Sequence, residues 1–147
     1  MAVTAKSYGL WLKLILDGTE TFDWDANTLK VSQHTSTYTP DQDTHDYFND
    51  ATNELGSGSG YTAGGATLGS KTVTYTGATN KLVLDAADTT WTWLSTTFRT
   101  LVAYKSTGTS TTSQLISYYQ NDADISPGGA DFTVQWHADG LVLLTAS

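Results

Sequence analysis

The chain contains no cysteine, which excludes disulfide frameworks, thiolate zinc sites and cysteine nucleophiles. This fits synthesis in a reducing cytoplasm. Basic residues are scarce: 7 Lys and Arg stand against 15 Asp and Glu, for a net charge of −8. Lys6, Lys13, Lys30, Lys71, Lys81, Arg99 and Lys105 are scattered singly, so no basic face exists for a phosphate backbone or an anionic membrane surface. Long apolar runs are missing too. "YGLWLKLIL" (residues 8–16) is interrupted by Lys13, is followed by the acidic "DGTETFDWD", and is too short to span a bilayer. It reads as a buried element of the fold and not as a signal peptide.

What is present is β-rich. Threonine is the commonest residue, and Thr, Val, Tyr and Trp suit a pleated, half-buried surface. Length points to one domain over residues 1–147, large enough to need no staple, with an extended segment at residues 1–7. "LWLKLILDG" fits a buried strand or a short helix ended by Gly18. The three-and-four spacing of Tyr8, Trp11, Leu12, Ile15 and Leu16 favours the helix. "NTLKVSQHT" alternates as a strand, "THDYFNDATN" holds one helical turn, and "ELGSGSGYTAGGATLGS" reads as a flexible loop.

Further on, "KTVTYT" and "KLVLDA" flank "GATN" as a hairpin. "TTWTWLS" sets Trp91 and Trp93 on one face, and "FRTLVAYKS" and "QLISYYQ" are strands. "NDADISPGGA" turns the chain, and "DFTVQWHA" alternates Phe132, Val134 and Trp136. "DG" at 139–140 reads as a hairpin turn before the closing strand "LVLLT". The fold class expected is therefore all-β: an antiparallel sandwich or barrel of about seven strands with at most a short N-terminal helix.

The densest polar stretch is "YTPDQDTHDYFND" (residues 38–50). Asp41, Asp43 and Asp46 give the rhythm of a calcium loop, but the sixth and twelfth positions counted from Asp41 hold Asp46 and Thr52, where such a loop needs Gly and Glu. His34, His45 and His137 lie in separate segments, with nothing to bring them onto one metal. The stretch reads as a polar turn in which Asp41 and Asp43 accept backbone hydrogen bonds, with Tyr47 and Phe48 anchoring it to the body. Asp41, Asp43 and Asp46 remain the only metal candidates. No nucleophile elbow, phosphate loop or metalloprotease helix occurs, and no cofactor or enzymatic activity is expected. Trp91, Trp93 and Trp136 alternate with polar residues as core positions do; on an outer face they would form a platform for sugars.

Four segments carry a resemblance: "SYGLWLKLILDGTETFDWDANTLKV", "YTPDQDTHDYFNDATNELGSGSGYTAGGATLGSKTVTY", "VAYKSTGTSTTSQLISYY" and "DFTVQWHADGLVLLT". In this order they resemble small virion proteins of tailed bacteriophages, described as head decoration or minor structural proteins. The resemblance covers nearly the whole chain and marks a fold without a catalytic signature. "VSQHTSTY" departs from it, since an apolar strand is usual there; that strand is expected to be less buried or to lie at an edge.

The resemblance implies a protein made in the host cytoplasm that attaches to the head surface as a homotrimer and cements the major capsid protein. A minor tail protein and a carbohydrate-binding β-sandwich are the alternatives. Residues 1–6 and the loops at 41–50 and 56–65 are the expected contact elements, with Ala2, Val3, Thr4, Ala5, Tyr47, Phe48 and Tyr61 as interface residues.

Overall fold

A computed structural model describes residues 2–146; Met1, in the expected contact segment, and Ser147 lie outside the described residues. The fold is all-β and sandwich-like, with three antiparallel sheets and one short α-helix. Five strands form the central sheet: β1 (Val3–Ser7), β2 (Leu29–His34), β3 (Ala66–Thr67), β7 (Phe98–Lys105) and β8 (Leu115–Ile125), in the order β1-β8-β7-β2-β3. A second sheet joins β4 (Thr72–Thr76), β5 (Lys81–Asp85) and β10 (Val142–Thr145) in the order β10-β5-β4. A ribbon pairs β6 (Thr89–Leu94) with β9 (Ala130–Val134). Helix α1 spans Gly9–Leu16, and single 3-10 turns lie at Phe48–Asp50 and Ser110–Thr112.

Both faces of the central sheet are covered. On one side, Phe98 meets Phe132 edge-on at 5.1 Å between ring centroids, and Tyr119 meets Trp136 at 5.2 Å. On the other, Tyr8 packs on Tyr118, Tyr38 on His34, and Phe48 stacks on Tyr104 at 4.0 Å. Burial on both faces explains why β7 is apolar through Leu101, Val102 and Ala103 without alternation.

The helical reading of "LWLKLILDG" matches α1, and the hairpin read over 71–76 and 81–86 is the β4–β5 pair. Within α1, Trp11 faces the core and stacks edge-on against Phe22 at 5.3 Å, whereas Leu16 at the last turn is 80% exposed and leaves the predicted apolar face. The segment "NDADI" is not a turn: β8 continues to Ile125, and the chain reverses only at 126–129. Its acidic side chains stand on an exposed part of the strand, which polarity alone cannot tell from a loop. Asp139–Gly140 does turn, with the Gly140 amide donating to the His137 carbonyl at 2.7 Å, but it makes no hairpin. It passes the chain from one sheet to another, since β10 pairs with β5 and not with β9. Strand β2 is neither an edge nor poorly buried: it lies between β7 and β3, and Ser32, Gln33 and His34 are fully buried.

The glycine-rich segment 56–69, read as flexible, is pinned to the body at Gly60 and Gly65, while Gly56, Gly58 and Gly69 have open space around them. A Cβ on Gly65 would stand 2.0 Å from the Val31 carbonyl oxygen, and one on Gly60 2.6 Å from that of Trp93. Both have positive φ, so glycine is required twice over, for backbone approach and for conformation. Among the described residues no helix is long and apolar enough to cross a membrane.

Candidate functional site

The expected contact residues separate into two groups. Ala2, Val3, Thr4 and Ala5 lie on or beside β1, the outer strand of the central sheet, and all are exposed; Val3 is 58% exposed. Among the described residues β1 pairs only with β8, from Val3 opposite Asn121 to Ser7 opposite Ser117, so its other backbone edge is the outer edge of the sheet. Across a cleft of about 360 Å³ lies β10, itself the outer strand of its sheet. Ala5, Lys6 and Ser7 form one wall of that cleft, and 141–143 with the 137–140 turn form the other.

The aromatic candidates sit deeper. Tyr47 is half-buried and donates to Glu20 Oε1 at 3.0 Å. Phe48 is clamped between Tyr104 and the edge of His34, so it fastens the 41–50 loop to the sheet. Tyr61 is not presented at the surface of the single chain: at 3% exposure it is an internal bolt. Its hydroxyl donates to Glu54 Oε1 at 2.7 Å and accepts the Gln33 amide at 3.1 Å. Burial, then the Glu54 carboxylate, hold its phenol above the usual range.

The acidic loop uses its own carboxylates locally. Asp41 Oδ1 accepts the amides of Asp43 and Thr44 at 2.9 and 3.1 Å, which closes an Asx turn. These bonds, the Asp43 amide first, hold the Asp41 carboxyl below the usual range. Asp43 is exposed. Asp46 is half-buried, and burial followed by neighbouring Asp50 pushes its carboxyl upward. Among the described residues, no three carboxylates or imidazoles converge as a metal ligand set.

A buried polar network lies under this loop, and the alternating-strand reading of β2 gave no sign of it. His34 Nδ1 donates to the Thr52 carbonyl at 2.8 Å, which leaves Nε2 to accept the Ser32 hydroxyl at 2.9 Å. Beside it, His45 Nδ1 accepts the Asp41 amide at 3.3 Å and the Tyr38 hydroxyl at 3.2 Å, and the Tyr8 hydroxyl bonds Tyr38 at 2.8 Å. Burial pushes the Tyr38 phenol up to about 12 and drives Tyr8 higher still. The Ser32–His34 pair has the hydrogen bond of a nucleophile and its base, yet both residues are sealed from solvent and line neither the cleft beside β1 nor the one at the far end of β7. The network holds the 38–53 loop on the sheet.

A second cleft, of about 250 Å³, lies at the far end of β7. Lys30, Glu54, Phe48 and Tyr104 line it with the hydroxyl-rich 106–113 loop. Tyr104 donates to the Gly64 carbonyl at 2.7 Å and Glu54 is taken up by Tyr61, so much of its polar lining is committed to the fold.

The least expected feature is in β6. Trp91 pairs with Phe132 and Leu94 with Ala130, which leaves Thr92 and Trp93 opposite Asp131 alone. This bulge reverses the alternation: Leu94 takes the inward place predicted for Trp93, and Trp93 turns outward, 78% exposed, with φ at 54°. A bulky residue in the left-handed region costs about 1–3 kcal/mol. Asp131 Oδ1 braces the bulge by accepting the Trp93 amide at 3.1 Å, and Gly60 lies against the Trp93 carbonyl. Trp91 is buried and Trp136 half-buried, as core positions should be.

No protein-family model, no curated protein and no solved structure matches this chain.

Proposed function

We propose that this chain is a structural virion protein that decorates the outside of a tailed-phage head and stabilises the shell by contact, acting without catalysis. The segment resemblance suggests the class. The observation that carries the mode of attachment is the free outer edge of β1. An exposed strand next to a cleft, with a second free strand on the far wall, accepts an extended segment of another chain by backbone pairing. The major capsid protein is the proposed partner, and a homotrimer the proposed state on the shell. An excess of negative charge keeps free copies apart and away from packaged DNA.

The test is saturation binding of purified protein to heads stripped of it, with bound copies counted against the major capsid protein. Binding in many copies at a fixed ratio, with heads then resisting heat better, is the expected result. It should be lost on deletion of residues 2–6 and in the double variant Val3→Asp, Ala5→Asp, both still folded by circular dichroism. Binding at a few sites only would assign the chain to the tail. Unchanged binding by both variants would remove β1 from the contact.

A further inference from the structure

We infer that the bulge at Trp93 is a carbohydrate-binding site that takes the apolar face of a pyranose ring. Exposure and backbone conformation both oppose this residue as a contributor to stability, so its place in the fold has to be explained by something it meets. Its surroundings identify what that is. The outward positions of the β6–β9 ribbon are Thr90, Thr92, Asp131 and Thr133, and all are exposed. The other large apolar side chains that are strongly exposed lie on β1, α1, β4 and β10, so none adjoins Trp93 on the ribbon.

A protein-contact hot spot sits within an apolar patch that excludes water. On the ribbon Trp93 is instead accompanied by the threonine hydroxyls, of which those of Thr90 and Thr133 bond each other at 2.8 Å, and by the Asp131 carboxylate. That combination fits a ligand with one C–H face and a rim of hydroxyls: the ring stacks on the indole and the rim bonds to the threonines and the outer carboxylate oxygen. The site is also held in place. Asp131 and Gly60 fix the bulge from either side, and the Ser95 amide bonds the Ser59 carbonyl at 2.9 Å, so the indole is presented on braced backbone. This inference is independent of shell attachment through β1, which uses a different edge of the molecule.

The experiment is iodide quenching of tryptophan fluorescence, which selects the exposed indole, combined with calorimetric titration of hexasaccharides of glucose, of galactose and of N-acetylglucosamine. At least one should bind saturably and shield Trp93 from iodide. Trp93→Ala should weaken that affinity at least tenfold, while Trp93→Tyr retains part of it and both keep the wild-type circular dichroism. Failure of all three sugars to bind, or binding unchanged in Trp93→Ala, overturns the inference. So does shielding of Trp93 only when stripped heads are added, which would make the indole a shell contact.

Discussion

Ser32 and His34 project from the same face of β2 and share a 2.9 Å hydrogen bond where solvent does not reach. The imidazole is held neutral: burial lowers its pKa to about 4, against which the bond to Thr52 acts only in part. In the unfolded chain the ring takes its proton near 6.5, so between pH 6.5 and 4 the unfolded state binds the extra proton. Stability from this group is therefore complete above that window and is lost as pH falls through it. Urea unfolding at pH 7 and pH 4 should show wild type losing about 3 kcal/mol more than His34→Gln, which cannot titrate there. Equal losses in the two proteins would show that His34 is not the sensing group.

Gly65 and Gly56 sit in the same loop and should respond oppositely to a methyl group. Gly65→Ala drives a Cβ into the Val31 carbonyl at positive φ, and should cost upwards of about 3 kcal/mol and detach β3. Gly56 has open space around it, so Gly56→Ala should change the unfolding free energy in urea by about 0.5 kcal/mol or less. Similar effects at both sites would mean that the loop is looser than its packing implies.

Two tryptophans two positions apart in β6 should also behave as opposites. Trp91→Ala empties a core position and should cost about 3–5 kcal/mol. Trp93→Asn should leave thermal stability equal or higher, because asparagine tolerates the left-handed backbone that tryptophan does not. A melting temperature lowered by Trp93→Asn would show that the indole packs on something in the folded protein.

Tyr38 is the middle link between Tyr8 and His45, and Tyr38→Phe removes the acceptor of one bond and the donor of the other. A loss of about 1–3 kcal/mol is expected. Tyr47→Phe gives up a single bond near the surface and should cost clearly less. Chemical denaturation of the two variants side by side provides the check.

Much of the fold could be read in the sequence wherever periodicity or turn chemistry was local. The hairpin around "GATN" was legible because register follows from a short turn, and α1 because Tyr8, Trp11 and Ile15 repeat at helical spacing. Three features were not legible, each for its own reason. One inserted residue in β6 turned Trp93 outward while Trp91 kept its inward place, and no pattern of residue types announces a bulge. The run Ser32, Gln33, His34 looks like a surface strand because its partners Thr52, Tyr38 and Tyr61 arrive from distant segments. Glycines that allow flexibility and glycines that allow backbone contact have the same composition, and only Val31 and Trp93 distinguish them here. Of the contact candidates, the exposed positions on β1 could be read from polarity, whereas the burial of Tyr61 depends on Glu54 and the Gln33 amide.

The pairing of β1 with β8 also orders events in time. Val3 leaves the ribosome long before its partner Asn121 is added. β1 therefore waits for β8 before it can be placed, and a product that stops short of β8 carries it as a loose sticky end. Once docked, it is held by one neighbour and by few buried side chains, so it should be the first strand to open and exchange its amide protons while the rest of the barrier to unfolding stands.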